Sequence, residues 1–139
     1  MTISNQTLLN NVYNFFNVIT DFNNTFTIQD LKQYFNDDFV MQLNDKVIVS
    51  GIDELYKHFN NFKKPDYKIV VKLPLDEIVN SDDAQKCVAR YTIEKENLEN
   101  GKKTAIKVIA IWHIKNEKLS RMNEVVFFEE ASDQKITEK

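Results

Sequence analysis

The sequence predicts an α+β domain in which helices come first and long antiparallel strands follow. Two observations carry this. Apolar residues recur at helical spacing through the first half of the chain and then switch to an alternating, strand-like period near Tyr67. Short polar turns separate the later apolar stretches, and strands joined by short turns must run antiparallel.

The first helix is expected over about Ser4 to Asp21, with Leu8, Leu9, Val12, Phe15, Phe16 and Ile19 on one face and asparagines opposite. Asparagine is a poor helix former, so this helix depends on packing its apolar face. Thr27-Ile28-Gln29-Asp30 resembles a capping box and opens a short second helix, with Ile28, Leu31, Tyr34 and Phe35 on its buried side. Asn36-Asp37-Asp38 is expected to end it. Phe39 to Leu43 then alternates as a strand, Asn44-Asp45 fits a two-residue hairpin turn, and Lys46 to Val49 returns. Ser50-Gly51-Ile52-Asp53 starts a third helix that Pro65 closes. The strands that follow are expected over Tyr67–Val79, Ala84–Glu96, Lys103–Lys115 and Lys118–Glu129. Three helices cannot cover both faces of such strands, so one face meets the helices. The chain is expected to be one domain over 1–131, with a frayed polar tail over 132–139.

Composition narrows the function classes. A net charge of −3 offers no dense basic face for nucleic acid. No apolar run approaches the ~18 residues of a membrane span, and no secretory leader is visible. A single cysteine, Cys87, excludes an internal disulfide and fits a cytoplasmic location. Two histidines and one cysteine have no zinc-ligand spacing, no glycine-rich phosphate loop occurs, and no cofactor is expected.

Three stretches in order resemble the nuclear transport factor 2-like superfamily, which includes ketosteroid isomerases and SnoaL-like polyketide cyclases. They are Tyr34-Phe35-Asn36-Asp37-Asp38-Phe39-Val40-Met41, Ser50-Gly51-Ile52-Asp53-Glu54-Leu55, and Ile111-Trp112-His113-Ile114-Lys115-Asn116-Glu117-Lys118-Leu119. In the last, Glu117 replaces a common glycine. The resemblance covers about Ser4 to Glu129. It implies a cone-shaped curved sheet wrapped around the N-terminal helices, a cystatin-like α+β roll. It also implies a cavity between helices and sheet, and a homodimer through the outer sheet face.

The resemblance also permits a test of isomerase chemistry. The family's base position falls at Leu43 and its protonated acid donor at Ile109, while its tyrosine matches Tyr13 only loosely and could fall on Phe15 or Phe16. Two of three catalytic groups are therefore missing, and that mechanism is not expected here.

A different site could occupy the same cavity. A two-residue Asn116-Glu117 turn would set His113 opposite Ser120, Ile111 opposite Met122 and Ile109 opposite Glu124, all on one sheet face. His113 and Glu124 would then stand roughly 13 Å apart, too far to pair. Glu124 among Ile109, Ile111, Met122 and Val126 would resist ionisation and could act as acid or base near neutral pH. A surface glutamate, or one paired with Lys107, is the commoner arrangement. His113 and His58 are more often structural than catalytic in such places. Trp112, at opposite parity, would cover the outer face with Arg121 and Asn123.

The expected lining is Tyr13, Phe16, Met41, Leu43, Tyr56, Phe59, Ile109, Ile111, His113, Met122 and Glu124, around a small hydrophobic ligand. The candidate catalytic pair is Glu124 with Tyr13. An isomerase, cyclase or hydrolase and a dimeric assembly module without ligand remain the alternatives to simple binding.

Overall fold

A computed structural model describes residues 4–131; the expected tail over 132–139 lies outside the described residues. The elements follow in the order α1 (Asn5–Ile19), α2 (Ile28–Lys32), β1 (Phe35–Leu43), β2 (Lys46–Ser50), α3 (Ile52–Phe62), β3 (Tyr67–Val71), β4 (Glu77–Asn80), β5 (Lys86–Asn97), β6 (Lys103–Lys115) and β7 (Lys118–Ala131). The strands form one strongly curled half-barrel sheet in the order β2-β1-β7-β6-β5-β3, with β4 also pairing β5. All pairs are antiparallel except β1 with β7, which run parallel.

Local chemistry sets the helix starts. Ser4 caps α1 by accepting from the Thr7 N–H at 3.1 Å. At α2 the Thr27 hydroxyl accepts from the Asp30 N–H at 3.2 Å, and the Asp30 carboxylate accepts from the Thr27 N–H at 2.9 Å. That is the expected reciprocal cap. The second helix ends sooner than expected, however, and β1 begins at Phe35. The reason is packing: Phe35 and Phe39 both point into the core, with ring centroids 4.8 Å apart. Asn36-Asp37-Asp38 therefore belongs to the strand rather than ending a helix.

The turns are of the kind that right-twisted strands require. Asn44 and Asp45 (φ 48° and 69°) and Asn116 and Glu117 (φ 55° and 64°) are left-handed pairs, as type I′ hairpins need. The expected strand over Tyr67–Val79 is interrupted. Its two parts, β3 and β4, both pair with β5, and the interruption carries Pro74, which has no N–H for a ladder.

The helices cover the concave face. Leu9, Leu31, Phe39, Leu55, Val108 and Leu119 are wholly buried between them and the sheet, each contributing about 1.5–3 kcal/mol. Helix α1 is also tied to the open edge of β3. The Asn17 side chain donates to the Val71 carbonyl at 2.9 Å and accepts from the Val71 N–H at 2.7 Å. Two residues earlier on β3, the Ile69 carbonyl accepts from Thr20 Oγ1 at 3.0 Å. An edge strand's unpaired groups are thus satisfied by helix side chains.

One irregularity reverses the expected faces of the last hairpin. Lys115 pairs Lys118 and Ile114 pairs Leu119, but His113 pairs Arg121, because Ser120 is an extra residue in a bulge. From there Trp112 lies opposite Met122, Ile111 opposite Asn123, Ala110 opposite Glu124 and Ile109 opposite Val125. A one-residue slip moves every side chain to the other face. Trp112 is therefore buried inside, at 2% exposure. Ile109, Ile111 and His113 stand on the convex face with Arg121 and Asn123.

Candidate functional site

The concave face leaves a cavity of about 260 Å³ between sheet and helices. Helix α1 supplies Val12, Tyr13, Phe15, Phe16 and Ile19, and α3 supplies His58, Phe59 and Phe62. The sheet supplies Met41 and Leu43 from β1, Tyr91, Ile93 and Lys95 from β5, Val108 and Trp112 from β6, and Met122 and Glu124 from β7, among others. Exposure grades along it. Tyr13, Tyr91, Val108, Trp112 and Met122 are buried, whereas His58, Phe62, Ile93, Lys95 and Val126 retain solvent contact. The latter group marks the mouth.

Polar groups are few and organised. The Trp112 indole N–H donates to Tyr13 Oη at 3.1 Å, and Tyr91 Oη–H donates to Glu124 Oε2 at 2.9 Å. A side-chain hydrogen bond joins the two tyrosines, whose ring centroids lie 4.7 Å apart. The direction of the chain follows from donor capacity. An indole can only donate, and each phenol has one proton. Tyr91 gives its proton to Glu124, so its oxygen accepts from Tyr13, whose oxygen accepts from Trp112. Every donor in the relay points towards the Glu124 carboxyl.

Two opposing effects act on Glu124. Burial in apolar surroundings raises its pKa, and the Tyr91 hydrogen bond lowers it; burial is the larger. Burial likewise pushes both phenols far above the usual tyrosine range, so Tyr13 and Tyr91 stay protonated donors. His58 is held below its ordinary value by burial, which keeps the ring neutral near pH 7. Among the described residues Tyr91 is the hydrogen-bond partner of the Glu124 carboxyl, so its second oxygen is open to a ligand. A carboxyl with a raised pKa in such a place can give or take a proton near neutrality.

Of the residues singled out in the sequence, Tyr13, Phe16, Met41, Leu43, Phe59, Met122 and Glu124 come together on the cavity wall. Four do not. Tyr56 packs against Phe26, with ring centroids 5.2 Å apart. Ile109, Ile111 and His113 are turned outward by the Ser120 bulge. His113 sits in a cross-strand row between Lys86 and Arg121; its pKa is lowered by burial and by those two cations. Lys107 bonds Thr92 Oγ1 at 2.7 Å on the convex face and does not pair with Glu124. Tyr13 does not touch Glu124 directly but stands two hydrogen bonds away, behind Tyr91.

The residues that sequence reasoning missed are Tyr91 and Trp112. Tyr91 shares its strand parity with Cys87 and Ala89, both wholly buried. A tyrosine alternating with small buried residues is the signal that could have found it. Trp112 was hidden by the bulge. The outward turn of Ile109 leaves Val108 and Ala110 facing in, so β6 contributes no acid to the wall and Glu124, opposite Ala110, comes from β7. Among the described residues no three His, Cys, Asp or Glu side chains gather as a metal site, and no helix is long and apolar enough to cross a membrane.

No protein-family model and no curated protein matches the chain. Solved structures do. A candidate polyketide cyclase from Pseudomonas putida KT2440 superposes with a TM-score of 0.68 at 15% identity, covering 91% of this chain and 92% of its own. An LEH-like epoxide hydrolase from M. tuberculosis gives 0.64 at 9% identity, covering 89% and 84%. An NTF2-like protein of unknown function from Cytophaga hutchinsonii gives 0.59 at 10% identity, covering 91% and 93%. The chain therefore has the nuclear transport factor 2-like α+β fold.

Proposed function

We propose that the protein binds a small hydrophobic molecule in its concave cavity and presents it to the Glu124 carboxyl. The observation that carries this reading is the Tyr91–Glu124 hydrogen bond inside an otherwise apolar cavity. Buried polar groups in such a wall fix the orientation of a ligand. The cavity lies below the roughly 300–1,000 Å³ of drug-sized pockets, so the ligand is small.

The same geometry supports proton-transfer chemistry of the isomerase, cyclase or hydrolase kind. Glu124 is the group that would touch the substrate. Tyr91, Tyr13 and Trp112 position it and stabilise its charge as it ionises. That so many structures of this fold are called cyclases, hydrolases or isomerases supports the class but not a substrate.

Trp112 is the sole tryptophan and lines the cavity, so its fluorescence reports on occupancy. A titration series of small apolar alcohols and ketones should quench or shift that emission saturably. Emission indifferent to every member, with retained fold, would remove the binding role. The reading extends to a homodimer through the convex face, where Ile111, Val125 and Phe127 are exposed. Sedimentation of a monomer at micromolar concentration would reject the dimer.

A further inference from the structure

Lys95 is an unexpected residue on an apolar wall. It comes from β5, pairs with Ile69 of β3, and lines the cavity at its solvent-exposed mouth. Its ammonium lies 4.3 Å from the centroid of the Tyr67 ring. Among the described residues the ion pairs are Lys32 with Asp37 and Arg90 with Asp76 and Glu77; none involves Lys95. Among the described side chains, the cation at the mouth therefore has an aromatic face beneath it and no carboxylate against it.

The neighbourhood of Lys95 is set by topology. The C-terminal end of α3 leads through residues 63–66 directly into β3, so His58 and Phe62 approach the cavity from the same end as Lys95. His58 is the other polar group at this end, and burial keeps it neutral, able to offer one N–H. The opposite polar point is Glu124, held by Tyr91. Lys95 lies four residues along β5 from Tyr91, about 13 Å at ~3.3 Å per residue. Allowing for side-chain reach, the two polar points are separated by a distance on the order of 10 Å. The wall between them is apolar: Ile93, Ile106, Val108 and Phe16.

We propose that the ligand is an elongated monoanion: an apolar body with a hydroxyl or carbonyl oxygen at its inner end, against Glu124, and a carboxylate at its outer end, against Lys95. This rests on the binding role of the cavity and names the chemical class that fills it. A neutral hydrophobe would leave the ammonium facing an apolar tail. A dianion would bring a second charge against Glu124 and be repelled. The carboxylate converts a solvated cation at the rim into a charge-assisted hydrogen bond while the body displaces water from the wall.

The test is a matched pair of probes, 10-hydroxydecanoate and decane-1,10-diol, which share a body and inner hydroxyl and differ only in the outer charge. Binding is followed by Trp112 fluorescence at low ionic strength. On the unmodified protein the hydroxy acid should bind about tenfold more tightly than the diol, the scale of one charge-assisted hydrogen bond. In Lys95→Met, which keeps the unbranched apolar stem but not the charged end, that preference should collapse to about twofold or less while diol affinity holds, which also reports that the variant is folded. Equal affinity of both probes for the unmodified protein, or a preference that survives in Lys95→Met, overturns the assignment of Lys95 and leaves the binding role standing. If neither probe binds, the ligand class falls, and the series of small alcohols and ketones decides the binding role separately.

Discussion

Tyr91 Oη–H donates to Glu124 Oε2 across 2.9 Å, from β5 over β6 to β7 of the curled sheet. The bond joins the half-buried Glu124 carboxyl of the cavity wall to a phenol whose own oxygen is served from behind by Tyr13 and, through it, Trp112. It ties three strands and helix α1 into one polar relay in an aromatic core.

Removing the link should be costly. Tyr91→Phe deletes the donor to Glu124 and leaves the Tyr13 hydroxyl without its acceptor. The expected loss is about 1–3 kcal/mol, the range for an unsatisfied buried polar group. Urea melts at pH 7 check it. A loss within experimental error would mean the relay contributes nothing to stability.

Glu124 should make stability depend on pH with a defined sign. Its folded-state pKa is raised above the ordinary 4.5, chiefly by burial. A raised pKa gives a contribution fully present below the unfolded value and lost as pH rises through the folded value. Glu124→Gln carries no charge to bury. It should melt at a higher temperature than the unmodified protein at pH 7, with the gap closing as pH falls towards 4. A gap that widens on acidification would show that the carboxylate is stabilised in the fold instead.

Asn17 should matter far more than its helix position suggests. It donates to and accepts from Val71 at the sheet edge, whereas Asn14 on the same helix only returns a bond to the Asn10 carbonyl. Asn17→Ala should cost about 1–3 kcal/mol, and the exposed Asn14→Ala within about 0.5 kcal/mol of neutral. Equal costs in chemical denaturation would contradict the tethering of α1 to β3.

The Ser120 bulge can be tested by labelling. Ile111 is 38% exposed and Ala110 fully buried. The native Cys87 is buried, with a thiol pushed up to about 11 by burial, so it is inert at neutral pH. Ile111→Cys should react with a maleimide in the folded state, and Ala110→Cys should not. The opposite pattern would restore the unbulged register.

Much of the architecture was legible in the sequence, because it rests on local chemistry. The Thr27–Asp30 cap, the Asn44-Asp45 and Asn116-Glu117 turns and the change of apolar period each act within a few residues. The site was legible only in part, for a physical reason. Tyr13 and Phe59 follow from helix periodicity alone and reach the wall; Met41, Leu43 and Met122 reach it too, although register shifts fall within β1 and just before Met122. Ile109, Ile111 and His113 depend on counting across a hairpin, and one extra residue, Ser120, inverts that count. Glu124 reaches the cavity although its expected partners across the strand were wrong. It faces inward beside Met122 and Trp112, not beside Ile109 and Ile111. Tyr56 lies at the margin of its helix's apolar stripe, where a small rotation decides between the cavity and Phe26. Nothing short of the three-dimensional pairing of β5 with β6 and of β6 with β7 could bring Tyr91 to Glu124.

The central claim is that Glu124 sits in an apolar wall and is held there by Tyr91. The most direct measurement is a carboxyl-carbon NMR titration, with the Glu124 signal assigned by its loss in Glu124→Gln. The carboxyl should titrate above the ordinary glutamate value of 4.5, and higher still in Tyr91→Phe, which removes the hydrogen bond that favours the charged form. A Glu124 that titrates at or below the ordinary value, and does not respond to Tyr91→Phe, would contradict it.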